Sequence, residues 1–222
     1  MGMPMFARLL VAFMVVATCR SPLGAQPGVA FAPPEVAMDA QEKLRAERVR
    51  FRPWPVTPVK LGNKALCEVP QGVAITRGAT GLRYARPARV NGAFALRLVR
   101  FEKLMQEEAM AAFGRPVARI EHLGTYACRT MAAYPDWVSE HAFANAIDVA
   151  GFVLKGGRRV TVDKDWIRKD QEATTAQARF LRRLARRLYD EDVFSVVLTP
   201  SFDRRHQNHF HLDGASYRVD GT

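Results

Sequence analysis

The run Ile147-Asp-Val-Ala-Gly-Phe-Val-Leu154 is apolar throughout except at Asp148. An apolar segment of this length, entered through the turn-prone Ala142-Phe-Ala-Asn145 and followed by Gly156-Gly157, reads as a buried strand. Burying an unpaired carboxylate costs on the order of several kcal/mol, so the fold has to bring a metal ion or a cationic side chain to Asp148. Three of the five histidines sit in segments able to do so. His141 precedes Asp148 by seven positions, within Ser139-Glu140-His141. His209 and His211 follow Pro200 and the polar run 201–208, which reads as a loop feeding an extended segment. Side chains two apart on a strand project from one face, so both imidazoles can reach one centre.

These residues carry a family resemblance. Ser139-x-His141-x6-Asp148 with a late His209-x-His211 resembles the zinc-site signature of the D-Ala-D-Ala carboxypeptidase, lysostaphin and hedgehog group. Leu123-Gly-Thr-Tyr-Ala-Cys-Arg129, His141-Ala-Phe-Ala-Asn-Ala-Ile-Asp-Val-Ala-Gly-Phe152 and Asn208-His-Phe-His-Leu-Asp213 are similar to bacterial extensin-like C-terminal domain proteins, over roughly residues 65–213. The resemblance implies one Zn2+ per chain on His141, Asp148 and His211, with a fourth position left for water. It implies that His209 serves as the base and that Arg129 contacts a substrate carboxylate or carbonyl through its planar fork. Ser139, Tyr126 and Asp213 are then candidates to support the site or touch substrate, Asp213 by orienting His209. One departure stands out: carboxypeptidases of the group place a glutamate where this chain has Asn208. Either His209 is the base or the domain only binds, since hedgehog-type domains retain zinc without demonstrated hydrolysis.

The first 25 residues read as a secretory signal, with Arg8, an apolar stretch over 9–18 and small residues at Gly24-Ala25. The stretch is too short to span a bilayer securely, so membrane anchoring is not favoured; Val16-Ala-Thr-Cys19 offers a lipoprotein box as a minor alternative. Export to the periplasm or cell envelope leaves Cys67 and Cys128 as an even pair in an oxidising compartment, where a disulfide is expected. The chain carries 33 basic and 22 acidic residues, a formal charge of +11, and loss of residues 1–25 removes two arginines and no acid. A domain this basic binds polyanions; for an exported protein these are peptidoglycan or another anionic envelope polymer. No RNA-binding signature or zinc-finger spacing is present, so specific nucleic-acid binding is not expected. The densest basic run is Arg179-Phe-Leu-Arg-Arg-Leu-Ala-Arg-Arg-Leu-Tyr189. It reads as a core helix with arginines on its solvated side, or as a polyanion contact.

At 222 residues with 48% hydrophobic side chains, the chain suits one packed domain. Residues 26–64 are proline-rich around a charged helical stretch at 40–50 and read as a partly helical extension; the domain proper is expected over 65–222. Extended pieces are expected at 73–75, 81–90 and 117–123. An amphipathic helix is expected over 93–113 and stopped at Gly114, a hairpin over 146–162, and closing strands at 193–199 and 209–212. The class this predicts is α+β, a small antiparallel sheet with flanking helices forming the floor of a metal cleft. Among the remaining candidates, His206 reads as a solvated loop residue, His122 as a core histidine or a support for the site, Ser139 as a turn cap or a hydrogen bond to a site residue, and Trp137 and Phe143 as packing beside the first motif or as the lining of a cleft for a glycan or peptide.

Overall fold

The computed structural model describes residues 34–69, 71–168 and 170–222, with nothing to be said of the side chains of 34–39. The signal expected over 1–25 and Cys19 lie outside the described residues. In chain order the elements are α1 (Pro34–Ala46), β1 (Arg50–Pro53), β2 (Val59–Leu61), β3 (Ala65–Cys67), β4 (Val73–Arg77), β5 (Arg83–Val90) and α2 (Gly92–Phe113). There follow β6 (Val117–Gly124), β7 (Ala146–Leu154), β8 (Arg159–Thr161), α3 (Val162–Asp165), α4 (Ala176–Asp190), β9 (Val196–Leu198), β10 (Phe210–Asp213) and β11 (Val219–Gly221). No helix among the described residues is long and apolar enough to cross a membrane.

The fold is α+β, but its sheet is not small. Nine strands join in the order β1-β4-β5-β6-β7-β10-β9-β11, with β8 also paired to β7, and a separate ribbon is formed by β2 and β3. Nor is it wholly antiparallel: β5 pairs parallel with β6, and β9 parallel with β11. The parallel β5–β6 pair follows from the connection, because the 22-residue α2 carries the chain back across the sheet before β6 begins. Asn91 caps α2 by accepting the Phe94 N–H at 2.8 Å, and the helix stops at Gly114, whose φ of 62° suits a residue without Cβ.

Alternation along the strands separates the two faces. Phe51, Ile75, Tyr84, Ala88, Ile120, Val149, Phe210 and Leu212 point to the side covered by helices and join Phe94, Leu98, Phe101, Leu181, Leu184 and Leu188 in one apolar core. The helical face of α4 matches the expected pattern, with Phe180, Leu181, Leu184, Ala185 and Leu188 fully buried. Its arginines lie on the solvated side, as expected, and Arg183, Arg186 and Arg187 are ion-paired. Arg183 and Arg187 reach the buried Glu108 of α2 at 3.1 and 2.9 Å, and Arg186 binds Asp190 and Asp220 at 2.6 and 2.8 Å. Arg179 donates to the Ala173 and Thr174 carbonyls, and Arg183 remains well exposed despite its pairing.

Residues 40–53, which the sequence places in an extension, are built into the domain. Leu44 is fully buried, Val49 joins the core, and β1 adds an antiparallel edge strand to β4. Proline content marks the bends around these elements and carries no information about what they pack against.

Candidate metal centre

Asp148 and His211 are directly opposite one another on the antiparallel strands β7 and β10, on the face away from the helices. The cross-strand pairing places Asp148 Oδ1 3.0 Å from His211 Nδ1. His141 arrives from a 3₁₀ turn, Glu140–Phe143, whose N-cap Ser139 accepts the His141 N–H at 3.4 Å. Asn145 tightens the same turn by donating to Glu140 Oε2 at 2.6 Å. His141 Nε2 thereby comes to 3.2 Å from Asp148 Oδ1 and 3.3 Å from His211 Nδ1.

The outward nitrogen of each ring is held by an acceptor. His141 Nδ1 lies 3.3 Å from the Thr125 carbonyl, and His211 Nε2 lies 2.9 Å from Asp213 Oδ2. A carbonyl or carboxylate can only accept, so both rings carry their proton outward and turn a lone pair inward. Two lone pairs and a carboxylate oxygen then face one point. Without a cation, a proton must occupy it. Despite burial, which opposes charge, hydrogen bonds to Asp148 and Asp213 push His211 up to about 10. Burial raises the Asp148 carboxyl, but its bonds to His141 and His211 outweigh that and hold it far below the usual carboxylate range. The donor separations of 3.0 to 3.3 Å are close to the edge of a tetrahedron with metal bonds of about 2.0–2.1 Å, which is about 3.3 Å. His141, Asp148 and His211 therefore fit a single divalent ion, and among the described residues no other His, Cys, Asp or Glu group converges as they do.

His209 precedes β10 and stands beside this cluster, its Nε2 3.6 Å from Asp148 Oδ1. Its Nδ1 donates to Asn208 Oδ1 at 2.8 Å, leaving Nε2 as the lone pair facing the cluster. Burial lowers its pKa, against the pull of Asp148, which favours a neutral ring. Asp213 does not orient His209: its Oδ2 is taken by His211 and its Oδ1 by the Ala215 N–H at 3.0 Å.

Above the cluster opens a cavity of about 770 Å³ to which Arg129, Ser139, Asp148, His209, His211 and Asp213 all contribute. His141, 3% exposed, lies beneath it. Arg129 is exposed at the rim and donates to the Thr130 carbonyl. Tyr126 is not in the cavity; its ring packs edge-on against Trp54 at 5.1 Å. Nor do Tyr126 and Arg129 lie on a strand, since β6 ends at Gly124. The loop that follows builds one wall. A disulfide joins Cys128 to Cys67, and Lys64 reaches Pro135 O and Asp136 at 2.5 and 3.0 Å, pinning this loop to the β2–β3 ribbon.

Several lining residues were not legible in the sequence. His206 is no solvated loop residue: Asp203 caps the 3₁₀ turn Arg204–His206 and accepts from His206 Nδ1 at 2.7 Å, which brings the ring to 5.3 Å from that of His209. The signal available was the Asp203-x-x-His206 spacing, with which one turn brings carboxylate and imidazole together. Glu140 is buried beside the cluster; burial raises its pKa to about 6, and the bond from Asn145 restrains the rise. Tyr134, Trp137, Phe202 and Tyr217 all face the cavity with 38 to 65% of their surface exposed. Of the two aromatics flanking the first motif, Trp137 is a lining residue and Phe143 is packing. His122 is a core histidine, as its apolar strand suggests, with Nε2 3.0 Å from the Arg86 carbonyl and Nδ1 without a partner.

No curated protein and no solved structure matches the chain. A family profile does, covering the site and the elements that position it from α1 through β11: residues 40–221 match the family described as Extensin-like protein C-terminus, and the chain belongs to it.

Proposed function

We propose that this protein is an exported zinc-dependent peptidase that cuts amide bonds in the stem peptides or cross-links of peptidoglycan. The observation that carries the reading is the convergence of two imidazole lone pairs and Asp148 Oδ1 within 3.3 Å of one another beneath an open cavity. His141, Asp148 and His211 would hold the zinc ion. When bound, such an ion supplies Lewis-acid polarisation of a carbonyl and lowers the pKa of water to about 7. His209, neutral and with Nε2 turned inward, accepts a proton at that atom. Asp213 keeps His211 in the tautomer that presents Nδ1. Arg129 at the rim offers two parallel N–H groups to a substrate carboxylate, of which stem peptides carry several. The disulfide supports an oxidising compartment and so accords with export.

A second reading, a wall-binding module with a structural zinc, draws on Asn208 standing where related carboxypeptidases have glutamate and on the charge of +11. Elemental analysis of purified residues 26–222, beside His211→Ala, tests the metal: about one zinc per chain, lost in the variant, is expected. With zinc present, muropeptide cleavage separates the two readings. The peptidase reading expects cleavage in the parent chain and a loss of roughly 100-fold or more in His209→Ala, which keeps its zinc. Zinc without cleavage of any muropeptide favours the binding module, and absence of zinc under metal-replete conditions sinks both.

A further inference from the structure

Strands β1, β4 and β5 carry six arginines and no acidic residue. Register turns this composition into a pattern. Arg50 of β1 is opposite Arg77 of β4, Arg77 opposite Arg83 of β5, and Arg83 opposite Arg119 of β6, so four neighbouring strands contribute one arginine each to a single row. Alongside it, Arg52 and Arg89 flank Ala74 in the next registered line. Arg50, Arg52, Arg83, Arg89 and Arg119 project from the face opposite the core, because their chain neighbours Phe51, Tyr84, Val90 and Ile120 point into it, and Arg77 joins them through its register with Arg50 and Arg83 across an irregularity after Ile75. Arg86, the remaining arginine of β5, has the parity of Tyr84 and Ala88 and donates to the His122 and Leu123 carbonyls. Arg119 is paired with Glu121 at 3.1 Å, and Arg89 lies over the Trp54 ring at 5.7 Å. Among the described residues, Arg50, Arg52, Arg77 and Arg83 have no ion-pair partner for their guanidinium groups, in contrast to Arg183, Arg186 and Arg187 of α4.

Like charges directly opposite on paired strands destabilise a sheet. An uncompensated row is therefore a cost to folding that a bound anion removes. Strands lie about 4.8 Å apart, so the row runs about 14 Å across the sheet as an extended line. That shape suits an extended chain carrying repeated charges, and a guanidinium fork matches a planar carboxylate. None of the exposed large hydrophobic side chains among the described residues lies on β1, β4 or β5, and Leu123 of β6 stands four residues beyond Arg119, so the row itself offers little to insert into a bilayer or to stack on exposed bases. The row shares its face with Asp148 and His211.

We propose that the arginine row on β1, β4, β5 and β6 is a binding track for an extended anionic polysaccharide with carboxylates on successive sugar units. It draws on none of the cluster's residues and so stands or falls apart from hydrolysis there. The test is binding of the full chain to alginate fragments at two salt concentrations, against neutral dextran of equal length, anionic vesicles and duplex DNA. Arg50→Gln/Arg77→Gln/Arg83→Gln is compared with Lys155→Gln/Arg158→Gln/Lys164→Gln, which removes equal charge elsewhere. Expected are alginate binding that weakens with salt, a loss of about tenfold or more in the row variant, and a loss under about twofold in the control. Thermal stability of the row variant is expected to be unchanged or higher, since repulsion is relieved. Equal losses in both variants, or row-dependent binding that is tighter to vesicles or DNA than to alginate, would overturn the proposal.

Discussion

Glu102 is the residue whose burial the sequence conceals most completely. It lies on the inner side of α2 at 1% exposure, where its carboxylate accepts from Tyr84 Oη at 2.7 Å and from the Thr80 N–H at 3.2 Å. A Cβ at Gly78 would collide with it, so the glycine makes its space. Burial raises its pKa from 4.5 to about 7, against the lowering effect of those hydrogen bonds. A folded-state value above the unfolded one means stability that is fully present below about pH 4.5 and lost as pH rises through about 7. The offset corresponds to a loss on the order of 3 kcal/mol. Unfolding free energies measured in denaturant at about pH 4.5 and about pH 8 should show this decline, and Glu102→Gln should flatten most of it. An undiminished decline in the variant would assign it to other groups. His206 teaches the same lesson at the cavity. Its neighbours Arg204 and Arg205 make the segment look solvated, yet one hydrogen bond to Asp203 folds the ring inward. Asp148, His141, His209 and His211 could be read together because an isolated carboxylate in an apolar strand demands a partner and the histidines were few; the choice of His211 over His209 as ligand came from the family resemblance.

Between elements, the wall of the cavity depends on connections that local pattern does not encode. The β2–β3 ribbon carries exposed Val59 and Leu66 and contributes little apolar burial of its own, so the Cys67–Cys128 bond and the contacts of Lys64 hold it to the 125–139 loop. The bond closes a loop over a sequence separation of 61, for which chain entropy predicts a stabilisation of about 4 kcal/mol. Replacing both cysteines with serine should lower the unfolding free energy by roughly 3–4 kcal/mol, read from denaturant curves. Unchanged curves would mean that the ribbon is held by its other contacts. Evenness of cysteine number after export was enough to anticipate the pairing. That the bond ties the segment bearing Arg129 to the start of the domain followed as well, since Cys128 adjoins Arg129; that this segment is a loop and not a strand did not, because β6 ends before Tyr126 and the loop's course is set by what it packs against. Helix α4 divides similarly. Its apolar stripe was plain at helical spacing, whereas Glu108 and Asp220, which pair with Arg183, Arg187 and Arg186, come from distant parts of the chain.

For the molecule as a whole, the nine-stranded sheet begins at Arg50. A chain shortened to residues 65–222 would lack Leu44 and Val49 and strip β1 from β4, exposing a new edge of unpaired N–H and C=O groups. Loss of one fully buried leucine side chain alone costs about 2–5 kcal/mol. Residues 65–222 should therefore aggregate or unfold without a sharp transition, while residues 34–222 unfold cooperatively in a calorimeter; equal behaviour of the two would show β1 to be dispensable. By itself, the sequence determined what depends on neighbours along the chain. It specified the helical stripes and the stop of α2 at Gly114, the strand alternation, the β7–β8 hairpin at Gly156-Gly157, and the residue types able to meet Asp148. Only the tertiary structure decided which strands lie side by side, and in which register. Period-two alternation tells a side chain which face it occupies and says nothing of who sits opposite. Register alone placed His211 against Asp148 and aligned four arginines across four strands.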